Sequence, residues 1–330
     1  MGITVPEEYG GLGMDNLTWT VVAEELSQGC TTTGAVFAAH ILCVEPIMLF
    51  GTHEQKEKYL VPLATGKTVG AFALTEPNAG SDAGGVQTRA ERDGDHYVLN
   101  GTKIFITNAG EAGIYVIMAN VDVEKGPRGM TAFIVEKGTP GFDFGKNERK
   151  MAYGSLPNRE LIFNDCRVPV GNILGRERRG FRVAMQTLAM GRIGMGIGAV
   201  GLAQAAFNAA LPYTKQRHQF GKPISSFQLV QAHLADMATE IDAARLLCYR
   251  AAYLKDQGRP FDKEGAMAKL YSSEVANRVC SKAVQVLGGY GYTKDFPVER
   301  YMREAKLFEI VEGTSEIQRL VIANALLKEG

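Results

Sequence analysis

An α+β multidomain protein is what this sequence predicts, with its segments in the order helical, β, helical. Three observations carry that expectation. The chain has 330 residues, above the size at which one hydrophobic core usually divides. From about residue 66 to residue 168, short β-prone runs follow one another with no helical stretch between them. That pattern favours an antiparallel sheet or barrel over alternating strands and helices. On both sides of this segment apolar residues recur at helical spacing. The expected domains are residues 1–65, 66–168 and 169–330.

In the first segment, "DNLTWTVVAEELSQG" reads as a helix with Asp15 as cap and Gly29 as stop. "TTGAVFAAHILCVEPIMLFG" is apolar almost all round and reads as a buried helix. "THEQKEKYLVPLATG" opens on a capping box, Thr52 with Gln55, and closes at Gly66. The middle segment offers "VGAFAL", "VQTRAERDGDHYVLNG", "TKIFITN", "IYVIMAN", "MTAFIV" and "RELIFND" as strands. Asp93-Gly94 and Asn100-Gly101 are hairpin-type turn dipeptides. The last segment predicts helices over about 179–216, 226–257, 263–287, 297–308 and 314–328, an antiparallel bundle with short connections.

Composition removes several functions. Lys and Arg total 36 and Asp and Glu total 36, without the basic excess of a nucleic-acid binder. The N-terminus "MGITVPEEYGGLG" has no signal-peptide pattern. No uninterrupted apolar run reaches the length of a membrane span, so none is expected. Cys30, Cys43, Cys166, Cys248 and Cys280 are far apart and odd in number, as reduced core cysteines are. With no C-x-x-C, no H-E-x-x-H and no histidine cluster, no metal site is expected.

Two motifs need weighing. "GIGAVG", Gly196 to Gly201, spells G-x-G-x-x-G inside a helical run, with no preceding strand and no acid before Asp236. It reads as close helix packing. Around it runs a stretch free of acids that holds Arg178, Arg179, Arg182, Arg192, Lys215, Arg217 and Lys222. These cations suit either a bound polyphosphate or a solvated face paired with acids from elsewhere.

Two loops look built for a ligand. "FALTEPNAGSD" leaves an apolar strand for a polar turn, and "KIFITNAG" ends a strand on an aromatic beside Thr107. An aromatic next to a hydroxyl can pack on a flat ring and bond its edge. In "LFEIVEGTSEIQRL", Ser315 and Gln318 read as a capping box for the last helix, and Gly313 gives the backbone freedom to enter it. Glu312, directly before Gly313, is then either an ordinary acid at a helix start or a base.

The motifs "FALTEPNAGSD", "KIFITNAG", "RHQFGKPISSFQLVQ", "AVQVLGGYGY" and "FEIVEGTSEIQRL" occur together in this order. In this the chain resembles the acyl-CoA dehydrogenase family over nearly its whole length. Through "GFRVAMQTLAMGRIG" and "VEGTSEIQRLVIA" it looks most like the short-chain (butyryl-CoA) branch. The resemblance implies an N-terminal helical domain, a middle β-barrel-like domain and a C-terminal four-helix bundle. Family members carry further helical residues before "PEEYGGLG", so the first domain is expected to be truncated. It also implies FAD and the oxidation of acyl-CoA to trans-2-enoyl-CoA. Glu312 would abstract the α-proton, with hydride passing to flavin N5. An acyl-CoA oxidase using O₂ and a non-catalytic flavin- or acyl-CoA-binding relative are the alternatives.

The residue roles implied by the resemblance are specific. Phe72, Leu74 and Thr75 would lie along the flavin, with Gly80 and Ser81 closing that loop. Thr107 would face N5, and Phe105 stands where many members carry Trp. Arg217, Gln219 and Phe220 would reach the FAD of a neighbouring subunit in a homotetramer, with Gln285, Gly288 and Gly289 in the same shared site. Thr314 and Glu316 would contact FAD, Glu316 standing where some relatives have Gln. Ser81, Arg192 and Gly313 would hold the acyl-CoA. Isovaleryl-type members place their base before the equivalent of Arg192, but here that residue is Gly191. Val311 precedes the base where relatives often have Tyr. An electron-transfer flavoprotein is the implied acceptor, and bacterial cytoplasm or mitochondrial matrix the implied location.

Overall fold

The computed structural model describes residues 1–328. The chain divides into two compact units, Met1–Asp15 with Val36–Arg149 and Ser155–Gly191, and Asn16–Ala35 with Lys150–Gly154 and Arg192 onward.

The first unit holds most of helix α2 (Thr31–Phe50), a short turn α3 (His53–Gln55), a π-type turn at Lys56–Leu60 and α4 (Val61–Ala64). The expected capping box is present. Gln55 N donates to Thr52 Oγ1 at 3.2 Å and Thr52 N to Gln55 Oε1 at 3.1 Å. The amide of Gln55 also donates to the carbonyls of Gly171 and Ile173, so the cap anchors this turn to the sheet region.

That sheet has eight strands: β1 (Gly70–Ala73), β2 (Arg89–Asp93), β3 (His96–Thr107), β4 (Ile114–Asn120), β5 (Met130–Glu136), β6 (Phe142–Asn147), β7 (Asn158–Pro169) and β8 (Ile173–Leu174). The order is β6-β7-β3-β2-β4-β5-β8, with β1 added to β4. Pairing is antiparallel except at β4, which takes β1 in parallel and meets β2 in parallel at Asn120. Inside lies an aromatic core of Tyr97, Tyr115, Phe133, Phe142 and Phe163, all buried. Phe142 and Phe163 stack with centroids 5.0 Å apart. Asp93-Gly94 makes the expected hairpin, pairing Asp93 with His96. Asn100-Gly101 does not turn the chain. It lies inside β3 where the register with β7 shifts, because Gly101 at φ 150° sits against Thr88 and leaves no room for a Cβ.

Helix α5 (Gly180–Gln216) contributes to both units, passing from one to the other between Gly191 and Arg192. Both α2 and α5 are long and apolar enough to cross a membrane by length and composition. Glu45 interrupts the apolar run of α2 without making the helix polar. Yet 67% and 72% of their most apolar stretches are buried inside the protein, as core helices require.

The second unit assembles α1 (Asn16–Gly29), the later part of α5, α6 (Gln228–Asp256), α7 (Asp262–Leu287), α8 (Val298–Phe308) and α9 (Ser315–Leu326). Helix α7 packs on α6, α8 and α9. The glycines of "GIGAVG" lie inside α5 and serve packing. A Cβ at Gly196 would come within 3.0 Å of Cys248 Sγ, and one at Gly201 within 2.5 Å of the Glu24 carbonyl. The helix start at α1 is closed from far away in sequence: Asp256 accepts from Asn16 N at 2.8 Å and from Leu17 N at 3.0 Å. Glu24, buried in α1, accepts from Arg245 and Tyr249 of α6.

Candidate active site

Glu312 sits on the turn between α8 and α9. Its φ is +54° and that of Gly313 is +95°, two successive left-handed residues. A non-glycine residue held there stores about 1–3 kcal/mol of strain, so the surroundings must fix it. They do so through the carbonyls. Gly313 O accepts from Lys269 Nζ at 2.7 Å and from Gln318 Nε2 at 2.9 Å, and Glu312 O accepts from Gln318 Nε2 at 3.3 Å. The cap of α9 differs from the expected one. Thr314, not Ser315, is the capping residue, its hydroxyl accepting from Ile317 N. Gln318 is therefore free of the box and reaches back to the turn, while Ser315 Oγ is buried without a partner.

Oε2 of the half-buried Glu312 is enclosed and has no hydrogen-bond partner among the described residues. Burial pushes its pKa from an ordinary 4.5 up to about 7, against the pull of the Lys269 and Arg192 charges. Arg192, 8% exposed, lies 3.7 Å from Asp262 and keeps a buried, unpartnered Nε. Burial lowers its pKa, while Asp262 and Glu312 raise it. An anion desolvated beside two buried cations, with one oxygen uncommitted, can accept a proton.

The two candidate loops form one wall of the β unit. Ile104 N donates to Thr75 O at 2.9 Å, and Lys103 Nζ to Leu74 O at 3.1 Å. Lys103 also pairs with Glu76 at 2.7 Å, both buried, and Glu76 takes the amides of Gln87 and Thr88. Neither Glu76 nor Lys103 stood out in the sequence. Their only signal was a lysine and a glutamate in otherwise apolar or turn-forming runs. Phe105 follows, at φ +57° and 60% exposed. The β3–β7 register shifts beside it, turning an aromatic outward where alternation alone would not place it. Thr107 Oγ1 accepts from Asn158 at 3.4 Å. Phe72 and Thr75 are half-buried, Leu74 is buried, and Gly80 and Ser81 are exposed.

Three family models cover the chain: the acyl-CoA dehydrogenase N-terminal domain at residues 1–67, the middle domain at 71–166 and the C-terminal domain at 178–327. The chain belongs to the acyl-CoA dehydrogenase family. A short-chain-specific acyl-CoA dehydrogenase of Clostridium acetobutylicum is 52% identical over 99% of this chain and 87% of its own. The structure of butyryl-CoA dehydrogenase from Megasphaera elsdenii is 50% identical, covers 99% of this chain and 86% of its own, and superposes with a TM-score of 0.98. A chain in the structure of the electron transferring flavoprotein of Acidaminococcus fermentans is 53% identical over 99% and 86%, also with a TM-score of 0.98. Membership carries FAD as cofactor and the dehydrogenation of acyl-CoA as reaction.

Each unit offers features that suit FAD. In the β unit these are the outward Phe105, the Thr107 hydroxyl and the open backbone at Gly80. In the helical unit, Gly288 and Gly289 have open space where a Cβ would stand. Arg217 lies 5.6 Å from the centroid of the Tyr290 ring, which brings the β9–β10 hairpin (His218–Gln219, Lys222–Pro223) to that loop. Gln219 is exposed, Phe220 is 93% exposed, and Gln285 and Glu316 are exposed. The sequence's basic stretch is thus not one cluster. Arg178 pairs with Asp122 and Glu177, Arg192 with Asp262, and Lys222 lies over Phe227.

Proposed function

We propose that this acyl-CoA dehydrogenase oxidises short-chain acyl-CoA to trans-2-enoyl-CoA, with Glu312 taking the α-proton. The observation that carries this reading is the enclosed, unpartnered Oε2 of Glu312, whose carboxyl burial brings to about 7. A base for a weak carbon acid has to be ionised near neutrality yet basic enough to hold the proton it takes. The amide of Glu312, on the same fixed turn, serves as donor where thioester enolate charge develops. Arg192 contributes charge, and Ser81 and Gly313 contribute contacts to the acyl-CoA. Bound FAD supplies the two-electron acceptor for the β-hydrogen at flavin N5.

Around the flavin, Phe72, Leu74, Thr75, Gly80 and Ser81 form one loop, Phe105 shields the ring and Thr107 bonds its edge. Arg217, Gln219 and Phe220 would reach the FAD of a neighbouring subunit, with Gln285, Gly288 and Gly289 in the same shared site, and Thr314 and Glu316 would contact FAD after the base. The exposure of Phe220 and its hairpin supports a homotetramer with shared FAD sites. Likeness at 52% identity to a short-chain-specific relative supports the chain length. Likeness to the Acidaminococcus fermentans chain supports an electron-transfer flavoprotein as acceptor. The burial of α2 and α5 supports a protein without a membrane span, suited to bacterial cytoplasm or mitochondrial matrix. Residues 1–65, 66–168 and 169–330 are the corresponding functional domains.

Glu312→Gln keeps FAD and binds butyryl-CoA, but bleaching of the flavin by that substrate slows by at least about a hundredfold. Near-normal bleaching in stopped flow would sink the assignment. Steady peroxide formation matching enoyl-CoA without added acceptor would replace the dehydrogenase with an oxidase.

A further inference from the structure

Lys269 is fully buried on α7, although lysine is almost never fully buried unless paired. Among the described residues its one hydrogen bond goes to a carbonyl, Gly313 O, at 2.7 Å. The acids that act on it electrostatically are Glu312, Glu309 and Glu316, with Arg192 opposing them. The elements around this ammonium are accounted for. Helix α5 brings Arg192, itself facing Asp262; the α8–α9 turn brings Glu309 and Glu312; α9 brings Glu316; neighbours on α7 are Ala266, Ala268, Ser272 and Ser273. A buried cation bonded only to a neutral carbonyl is poorly compensated, so packing alone gives no reason for it.

Its position supplies one. Gly313 O belongs to the left-handed turn that aims Glu312. Lys269 clamps that carbonyl from α7, while Gln318 clamps it from α9. We propose that Lys269 is a positioning residue for proton transfer: its ammonium fixes the turn that carries Glu312 and supplies the positive field in which that carboxylate ionises. The inference rests on Glu312 being the base. Lys269 touches the backbone beside the reacting group, not the reacting atoms. Burial pushes its own pKa down to about 8, above that of Glu312, so it is still mostly charged where Glu312 is half ionised.

The test follows the carboxylic C=O infrared band of Glu312 in the holoenzyme as pH is raised, with the band assigned by its loss in Glu312→Gln. In Lys269→Met the midpoint rises by about 1 pH unit or more, about tenfold more protonated carboxyl at a given pH. The acid limb of flavin bleaching by butyryl-CoA moves with it, and Lys269→Arg restores both. An unchanged midpoint in a folded, FAD-loaded Lys269→Met overturns the inference. Should that variant not fold, Lys269→Gln, which keeps a donor and loses the charge, carries the same test. If Glu312→Gln itself bleaches normally, the base assignment fails instead. If Glu312→Gln is inactive and Lys269→Met titrates like the parent, only the role of Lys269 fails.

Discussion

Among the described residues two lysines are completely buried, one in each unit, and the protein treats them differently. Burial pushes both ammonium groups down to about 8. Lys103, in the sheet, bonds to a carboxylate, Glu76, and to the Leu74 carbonyl. Glu76 in turn accepts from Lys103 and from two amides. Burial works to raise its carboxyl, but the charge and hydrogen bond of Lys103, together with the hydrogen bonds from Thr88 and Gln87, outweigh it and hold it below the ordinary range. Every strong group in that pair is committed. Among the described residues Lys269 bonds only to a carbonyl, and the nearby Glu312 keeps an oxygen free. A saturated pair fixes a scaffold, here the loop from Leu74 to Thr88. An unsaturated pair leaves an oxygen free to take a proton.

The comparison breaks most visibly in stability. Lys103→Met strands Glu76 in the interior and should destabilise the protein by about 3–5 kcal/mol in urea titration. Lys269→Met leaves Gly313 O still bonded to Gln318 and should lose less than about 2 kcal/mol. The reverse order would overturn the distinction between a lysine saturated by a carboxylate and one bonded to a carbonyl.

A smaller effect concerns pH. In the unfolded chain Glu312 ionises near 4.5, and in the folded protein near 7. Between those values the folded state holds a proton that the unfolded state has lost. Rising pH therefore favours unfolding: the contribution is fully present below 4.5 and is lost as pH passes 7. The shift corresponds to about 3 kcal/mol. Denaturation curves across that window should show the decline in the parent protein and its absence in Glu312→Gln. A parallel decline in both would place its origin elsewhere.

The smallest expected effect tests the turn itself. Thr314→Ala removes the cap of α9 and should lower stability by about 1 kcal/mol. Ser315→Ala, which removes a hydroxyl without a partner, should stay within about 0.5 kcal/mol. Thermal melts showing the opposite order would return the cap to Ser315.

That reversal shows where the sequence was legible. Helical spacing located α5 through α9 within about two residues, and Thr52 and Asp93-Gly94 marked a cap and a hairpin where they occur. These signals are local, set by the period or by turn chemistry. Asn100-Gly101 carries the same dipeptide chemistry as a turn, but neighbouring strands draw it into a bulge. Thr314 and Ser315 are both good caps, and only the position of the turn decides between them. The motif around Glu312 was legible through family resemblance, since an acid before a glycine is common in itself. Lys103 and Lys269 were not. What makes each unusual is a partner 27 or 44 residues away, a relation that periodicity does not express.

The cap on α1 has a consequence for the newborn chain. Asn16 and Leu17 obtain their hydrogen bonds from Asp256, so the start of this early helix is completed by a side chain made some 240 residues later. Domains tend to fold as they leave the ribosome, first-made parts first. The eight strands, complete once Leu174 is made, can close their sheet during synthesis, whereas α1 has to wait for α6. Synthesis thus leaves an early segment exposed for most of its duration, and this is where a chaperone would have the longest opportunity to act.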